Sequence, residues 1–365
     1  MRILLTGGGT MGSVTPLLAT AEQLKTDGLT AEFLWLGTKA GPERAVVELA
    51  GIKFQPIIGG KWRRYFSLQN LAAPFLVLAG FFQSLIIIIK FKPQVILTAG
   101  AFISVPAVWA GRFCRVPVLV HQQDLTPGLA NRLMAPFARK ITVALEDSLK
   151  NYPTGKTSWI GNPVRASLFQ GDRTAGLKKF NLQSGRPVVL IVGGGTGSVV
   201  LNETVDQALP ELVGFCQVIH LTGIKNHPSR RGASELRIKN QAVKGYCAFE
   251  FLTTEMRDAL AAADIVVSRA GMGFLSELAA LGKAVIIVPM ADSHQEANAS
   301  YFARRNAAVV LPQADLTPEN LTLAVKNLLD GKSDKANLER NIKSLLKPGA
   351  AEAMVKAVVE LTKGQ

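Results

Sequence analysis

The sequence predicts an α/β protein of two doubly wound, Rossmann-like domains, each with a largely parallel sheet. Its 365 residues exceed one ordinary domain, and two domains of roughly 150–200 residues are the natural expectation. A strand, a glycine-rich loop and a helix open the chain, and the same pattern restarts at Val188. Short apolar strands alternate with helical segments in both halves, as parallel sheets require. Hydrophobic residues make up 48% of the chain, which excludes a disordered protein.

The first domain opens with strand Arg2–Leu5, the loop TGGGTMGSVTP, helix Leu17–Lys25 and strand Glu32–Leu36. Glycines in such a loop let the backbone pass close to a ligand or to the next helix. The loop lacks the Gly-Lys-Ser/Thr of a P-loop, and Glu32 precedes its strand instead of following it. A P-loop NTPase and a dinucleotide-binding protein are therefore both disfavoured.

Residues 65–89 contain no charged side chain, and their apolar part approaches the length of a membrane span. Pro74, Gly80 and Gln83 interrupt the run, which is followed at once by a core strand. We therefore expect Leu71–Ile89 to be a helix that is buried on one side and lies in the interface of an anionic membrane on the other. A hydrophobic packing helix is the alternative. The basic rim of the membrane face would be Lys61, Arg63, Arg64, Lys90 and Lys92.

Four polar side chains, His121, Gln122, Gln123 and Asp124, follow the predicted strand Val116–Val120. Doubly wound sheets bind ligands at the carboxyl ends of their strands. A histidine at a strand end is more often a structural hydrogen-bonding residue than a base, so His121 alone does not define a site. The remaining predicted elements of this domain are strands Gln94–Leu97, Lys140–Val143 and Ser158–Ile160 and the linker Gly161–Arg165.

The second domain contains a unit of strand, glycine turn, helix and strand in the stretch Ser268–Asn298. A glycine turn that feeds a helix presents backbone N–H groups and the positive end of a helix dipole, which suit a phosphate. Glu277, one turn into that helix, could reach sugar hydroxyls, and His294 and Gln295 in the following loop could hold a second sugar. These features predict a nucleotide-sugar pocket. A plain α/β unit with a polar loop is the alternative.

Composition narrows the class of partner. The net charge of +14 favours an acidic partner such as an anionic membrane surface or a phosphorylated substrate. No basic helix or aromatic stacking array supports nucleic-acid binding. Cys114, Cys216 and Cys247 are far apart, which argues against a zinc site and a disulfide framework and suits a reducing cytoplasm. The N-terminal apolar run is too short for a signal peptide.

Seven motifs, in the same order along the chain, resemble those of the MurG-type glycosyltransferases. These enzymes make lipid II from lipid I at the cytoplasmic membrane face. The motifs are GGGTMGSVTP, HQQD-x-x-PG, GNPVR, GGGTGSVVLN, FEFL, SRAGMGFLSEL and DSHQEANA. The resemblance implies the GT-B fold, two Rossmann-like domains that face a central cleft. It implies an acceptor- and membrane-binding domain over 1–160, a UDP-sugar-binding domain over 161–346, and a final helix over 347–365 that packs back toward the first.

The resemblance further implies inverting transfer of N-acetylglucosamine from UDP-N-acetylglucosamine to the 4-hydroxyl of the N-acetylmuramyl unit of lipid I. The absence of an Asp-x-Asp pair makes metal-independent transfer the coherent prediction, because glycine loops can stabilise the leaving diphosphate instead. We expect no cofactor. The donor-binding residues carried over by position are Thr10, Met11, Gly12, Asp124, Arg165, Gly194, Gly195, Asn202, Phe251, Leu252, Met272, Gly273, Phe274, Leu275, Ser276, Glu277, His294, Gln295 and Asn298.

Several positions depart from the family pattern, mostly on the acceptor side. Ser13 stands in place of a histidine, and the HEQN motif has lost its glutamate and gained Asp124 in place of asparagine. Further departures are Met11-Gly12, Phe102 for tyrosine, Gly195 for serine and Phe274 for threonine. We therefore expect the catalytic groups among Asp124, His121 and Ser13, with Asp124 as general base and His121 beside it.

Other readings stay open at this point. The chain could retain the fold and the donor site with a changed acceptor or without activity, or act as a scaffold that binds a UDP-sugar. Non-hydrolysing sugar epimerases and glycosyltransferases of small molecules share the expected architecture. The apolar segment Leu71–Ile89 favours a lipid-linked acceptor over both.

Overall fold

A computed structural model describes residues 1–60, 69–223 and 243–363. The chain divides into two compact units. The first consists of Met1–Arg165 together with Lys347–Gln365, and the second of Ala166–Leu346. The end of the chain therefore belongs to the first unit.

The first unit contains a parallel sheet of seven strands in the order β3-β2-β1-β4-β5-β6-β7. Strand order reverses between β1 and β4, and the crevice beyond such a reversal is where doubly wound sheets bind ligands. The central strands are buried on both faces, which explains their continuous apolar sequences. The strands are β1 Arg2–Thr6, β2 Glu32–Gly37, β3 Lys53–Pro56, β4 Val95–Thr98, β5 Val118–Gln122, β6 Lys140–Val143 and β7 Thr157–Trp159.

Helices cover both faces of this sheet. The first five are α1 Thr15–Thr26, α2 Glu43–Leu49, α3 Gln69–Phe91, α4 Ser104–Phe113 and α5 Leu129–Met134. The C-terminal helix, Ala350–Lys363, packs against α1. Its Met354 is fully buried, and Glu360 forms an ion pair with Lys140 at 2.6 Å.

Helix α3 is buried on one side only, as its sequence predicts. Ala73, Ser84 and Ile88 face the core. The opposite face exposes a row of large apolar side chains, Leu71, Phe75, Leu78, Phe82, Ile86 and Ile89. Among the described residues, Leu71–Phe91 is the one helix long and apolar enough to cross a membrane, and 28% of its most apolar 18-residue stretch is buried.

The second unit contains a parallel sheet of six strands in the order β10-β9-β8-β11-β12-β13. Strand order reverses between β8 and β11. The strands are β8 Val188–Val192, β9 Gln217–Leu221, β10 Tyr246–Phe249, β11 Ile265–Ser268, β12 Val285–Ile287 and β13 Val309–Val310. The described helices are α6 Arg173–Lys179, α7 Val199–Phe215, α8 Met256–Ala262, α9 Met272–Leu281, α10 His294–Ala303, α11 Pro318–Asp330 and α12 Lys332–Ser344.

One boundary differs from the sequence prediction in a way that matters for the site. Strand β5 runs to Gln122, so His121 and Gln122 are part of the sheet and not of the loop beyond it. Helices α2, α5, α6, α10 and α12 and strands β3 and β13 were not predicted, because short or strongly polar elements leave little periodic signal. His294, Gln295 and Asn298, which we predicted in a loop, lie in helix α10. The basic stretch 225–239 and three of the predicted rim cations, Lys61, Arg63 and Arg64, lie outside the described residues.

Candidate active site

The glycine loop after β1 is closed by hydrogen bonds to its own unit. Its three consecutive glycines each donate an N–H to a protein acceptor: Gly7 to Leu36 O at 3.2 Å, Gly8 to Ser13 Oγ at 3.1 Å and Gly9 to Glu43 Oε2 at 3.1 Å. Ser13 is 7% exposed, so its hydroxyl, which we predicted to be catalytic, braces this loop. Thr10 is exposed and Met11 and Gly12 are half-buried.

Gln123 ties this glycine loop to the turn after β4. Its Nε2 donates to Gly12 O at 2.8 Å and to Ala99 O at 3.2 Å. The two segments flank the reversal of strand order, where the sheet leaves room for a ligand. Gln123 therefore sets the shape of this edge of the first unit.

His121 lies inside the core of the first unit. Its Nδ1 is 2.9 Å from Thr142 Oγ1 and its Nε2 is 2.8 Å from Asn162 Oδ1. Burial lowers the pKa of His121 to about 4, so the ring is neutral at physiological pH. The side chain has no exposed surface. In this structure it positions the end of β5, with both ring nitrogens engaged, whereas we predicted a direct catalytic part for it.

Gln122, at the position of the family's glutamate, is a saturated buried amide. Its Nε2 donates to the carbonyl oxygens of Asp124 at 2.7 Å and Thr126 at 3.3 Å. Its Oε1 accepts from Asn131 Nδ2 at 2.5 Å and from the Tyr152 hydroxyl at 2.8 Å. A carboxylate could not donate to the two carbonyls. Gln122 thus holds the loop that carries Asp124, whose own side chain is half-buried.

The glycine loop after β8 in the second unit is open. Gly193 donates to Leu221 O at 3.4 Å and Gly197 donates to Gly194 O at 3.0 Å. Within the described part of the chain, no acceptor is found for the N–H of Gly194 or Gly195. The loop leads into the 17-residue helix α7, capped by Ser198. Unused N–H groups near a helix N-terminus form a seat for an anion.

Arg269, at the end of β11, is a site residue that sequence reasoning did not single out. Its Nη2 donates to Ser198 Oγ at 2.5 Å, and its Nη1 donates to the carbonyl oxygens of Val288 at 3.2 Å and Pro289 at 3.1 Å. The half-buried guanidinium therefore joins the ends of β11 and β12 to the N-cap of α7 and places a positive charge beside the open glycine loop. The signal available in the sequence was a cation directly after an apolar strand.

Asn202 belongs to a second buried histidine network. Its Nδ2 donates to Thr222 O at 2.9 Å, and its Oδ1 is 3.0 Å from His220 Nε2. His220 Nδ1 lies 3.0 Å from the Tyr246 hydroxyl. Asn202 has no exposed surface, so in this structure it positions the end of β9, whereas we predicted it to be a donor-binding residue. His220 was not predicted at all.

Helix α9 begins at Met272 after the turn that contains Gly271. Asn298, fully buried in α10, donates to Ala270 O at 3.0 Å and fixes this turn. Gln295 accepts at Oε1 from Met290 N at 3.0 Å. Of the other predicted donor residues in this unit, Phe251, Phe274 and His294 are half-buried, whereas Leu252, Met272, Gly273, Leu275, Ser276 and Glu277 are buried. Arg165, half-buried, is the last residue before the second unit.

Acidic, histidine and cysteine side chains do not converge on a metal site in the described residues, where no group of three or more could hold an ion.

Comparison with known proteins assigns both units. The family model for the glycosyltransferase family 28 N-terminal domain matches residues 3–143, and the model for the family 28 C-terminal domain matches residues 188–356. The UDP-N-acetylglucosamine–N-acetylmuramyl-(pentapeptide) pyrophosphoryl-undecaprenol N-acetylglucosamine transferase of Clostridium kluyveri is 38% identical over 331 residues, which cover 90% of this chain and 91% of the relative.

Solved structures agree. MurG of Acinetobacter baumannii superposes with a TM-score of 0.69 at 25% sequence identity. The match covers 98% of this chain and 99% of the MurG chain. A UDP-GlcNAc 2-epimerase of Neisseria meningitidis, bound to UDP-GlcNAc, gives a TM-score of 0.71 at 15% sequence identity. The match covers 99% of this chain and 100% of the epimerase chain, and it shows a likeness of fold alone.

The chain is therefore a glycosyltransferase of family 28 with the GT-B fold. Within that family it belongs to the MurG-type N-acetylglucosaminyltransferases. The predicted family, fold class and enzyme class are confirmed.

Proposed function

We propose that this chain transfers N-acetylglucosamine from UDP-N-acetylglucosamine to the 4-hydroxyl of the N-acetylmuramyl unit of undecaprenyl-diphosphate-linked lipid I, giving lipid II for peptidoglycan synthesis. The observation that carries this proposal is the open glycine loop after β8, with the Arg269 guanidinium joined to its Ser198. That arrangement suits the diphosphate of a nucleotide sugar. The names of the relatives supply the particular donor and acceptor.

The donor chemistry follows from charge. Breaking the bond between sugar and UDP leaves negative charge on the diphosphate, which preorganised N–H donors and a cation stabilise without a metal ion. Gly194, Gly195 and Arg269 supply such groups. Glu277, near the start of α9, accepts from the ribose hydroxyls in this proposal, and His294 and Gln295 contact the sugar.

The acceptor hydroxyl needs a base, because an alcohol is a poor nucleophile at neutral pH. Asp124 is the acid nearest the end of β5, in a loop that Gln122 holds by two hydrogen bonds to backbone carbonyls. We assign Asp124 the role of general base. Direct displacement by the acceptor hydroxyl inverts the configuration of the transferred sugar. His121 and Ser13 act as positioning residues.

The exposed apolar face of α3 suits a membrane surface. Its side chains include Phe75, 74% exposed, and Leu71, 72% exposed. The exposed cations Lys90 and Lys92 follow at the end of the helix. An apolar patch with cations at its edge binds the interface of an anionic bilayer. The enzyme therefore works at the inner face of the cell membrane, where a lipid-linked acceptor is presented.

Release of UDP from UDP-N-acetylglucosamine, measured with and without lipid I, tests this proposal. Release that depends on lipid I, with lipid II as product, is the expected result. Epimerisation of the donor without acceptor would instead match the activity in the name of the fold relative. Binding of UDP-N-acetylglucosamine without any turnover would identify a scaffold, and release with a different acceptor would identify a changed specificity.

A further inference from the structure

Glu43 is a buried carboxylate in the first unit that the proposed mechanism does not use. It is the first residue of α2 and has no exposed surface. Its Oε1 accepts from the Thr38 N–H at 2.7 Å and from the Thr38 hydroxyl at 2.5 Å, and its Oε2 accepts from the Gly9 N–H at 3.1 Å. No cation forms an ion pair with it among the described residues. A buried charge held only by neutral donors is expensive, which calls for an explanation.

The surroundings of this carboxylate are shaped to it. A methyl group added at Gly8 or at Gly41 would overlap the Glu43 carboxylate, and one added at Gly37 would lie 3.2 Å from its Oε1. Gly8 and Gly41 therefore make room for this side chain, whereas an atom added at Gly37 would first meet the Phe54 ring, at 2.6 Å. Gly9 has φ +79°, a conformation that turns its N–H toward Glu43 and that favours glycine.

A glycine loop between a β-strand and a helix ordinarily offers its N–H groups to a phosphate. In this loop the N–H of Gly9 already binds a carboxylate, and those of Gly7 and Gly8 bind Leu36 O and Ser13 Oγ. A phosphate would have to displace these acceptors and would meet the negative charge of Glu43. The loop has the form of an anion site that the protein fills with its own anion.

We propose that Glu43 is an internal stand-in for a phosphate, and that it is a positioning and specificity-determining residue of the first glycine loop. It holds Thr10, Met11 and Gly12 ready for a neutral group, such as a sugar hydroxyl, and bars phosphates from this loop. The positioning role assumes the proposed transferase reaction. The diphosphate of the acceptor must then bind elsewhere on the first unit.

Glu43→Gln separates positioning from bulk stability. Glutamine has nearly the same shape, but its single acceptor oxygen can serve Thr38 or Gly9 and not both. We expect kcat to fall about a hundredfold, as displaced reacting groups cause, while KM for UDP-N-acetylglucosamine stays within twofold. The matched control is Glu48→Gln on the same helix, where Glu48 is exposed and pairs with Arg44. The proposal would be overturned if kcat of Glu43→Gln stayed within twofold of wild type. It would also be overturned if KM for UDP-N-acetylglucosamine rose by the same factor as kcat fell.

Glu43→Ala opens the seat to added anions. Sodium formate, compared with sodium chloride at the same ionic strength, should raise both kcat and the thermal midpoint of this variant and leave wild type unchanged. Inorganic phosphate in the presence of UDP should stabilise Glu43→Ala but not wild type. Equal stabilisation of wild type by phosphate, or no response of Glu43→Ala to either anion, would contradict the inference. The thermal measurements need no turnover, so they decide the point even if the wild-type chain transfers no sugar.

Discussion

The two glycine loops are nearly identical in sequence but differ in their hydrogen bonds. Each follows the first strand of its unit, and each first glycine donates to the end of the neighbouring strand, Gly7 to Leu36 O and Gly193 to Leu221 O. Beyond that point the first loop is saturated by Ser13 and Glu43, whereas Gly194 and Gly195 have no acceptor within the described residues. The side chains around a glycine loop, and not the glycines, thus decide whether its N–H groups already have acceptors.

The comparison divides the proposed chemistry. The second unit offers backbone N–H groups and Arg269 to a leaving diphosphate, and the first unit offers side chains at a rigid edge. Departures from the family pattern fall mainly in the first unit, where the proposed chemistry depends on side chains. Substitutions in one unit or the other can therefore test the donor-side and the acceptor-side chemistry separately.

The largest effect is expected from Asp124→Asn, which restores the family's residue and removes the proposed base. We expect kcat to fall about 10²–10⁴-fold, the usual contribution of a general base. Affinity for UDP should stay the same, because the groups proposed to hold the diphosphate, Gly194, Gly195 and Arg269, lie in the second unit. Steady-state rates and calorimetric titration with UDP measure the two quantities. Glu146→Gln, at an exposed acid in the next loop, is the control, and unchanged turnover in Asp124→Asn would remove the base from the proposal.

Acid should destabilise the first unit through His121. The folded pKa is about 4 against 6.5 for the free side chain, so the unfolded chain binds the proton first as pH falls. The stabilisation is complete above pH 6.5 and is lost as pH falls toward 4, by about 3 kcal/mol in all. Thermal midpoints across this range should fall steeply for wild type and less for His121→Gln. Equal slopes would show that other groups govern the acid sensitivity.

Gln122→Glu tests whether the lost family glutamate could simply be restored. The new carboxylate would forfeit two donated hydrogen bonds and place a charge in the core, so we expect a loss of about 1–3 kcal/mol of stability. The loss should shrink at low pH, where the carboxyl is protonated. Urea unfolding at two pH values measures it. An unchanged midpoint would mean that the loop with Asp124 does not depend on the Gln122 amide.

A matched pair of glycine substitutions tests the contrast between the loops most directly. Gly9 and Gly194 have φ +79° and +92°, and neither has an atom within 4 Å of the position of an added Cβ. Alanine should therefore cost about 1–2 kcal/mol of backbone strain at either site. Gly194→Ala should weaken UDP binding about tenfold, the equivalent of about 1.4 kcal/mol, whereas Gly9→Ala should leave it unchanged. If calorimetry shows that both substitutions weaken UDP binding equally, the two loops do not differ in their contribution to UDP binding.

Periodicity and glycine placement predicted both sheets, the one-sided helix α3 and the loops of the site, because these features depend on residues close in the chain. The partners that close the first loop could not be predicted this way. Glu43 is 34 residues from Gly9, and Asn162 is 41 residues from His121. Only folding brings such pairs together. The same reasoning misplaced His121 in a loop, since the polar His-Gln pair conceals the last two residues of a buried strand.

The smallest effect is expected at the turn after β4, which Gln123 joins to the first loop. Ala101 has φ +76°, where a side chain costs about 1–2 kcal/mol relative to glycine. Ala101→Gly should raise stability by only about 0.5–1 kcal/mol, because glycine also gains freedom in the unfolded chain. Ala99→Gly, at a buried neighbour without a positive φ, should lower the thermal midpoint. If Ala101→Gly lowers it as well, the methyl group packs usefully and this edge of the first unit is set by side chains even where the backbone is strained.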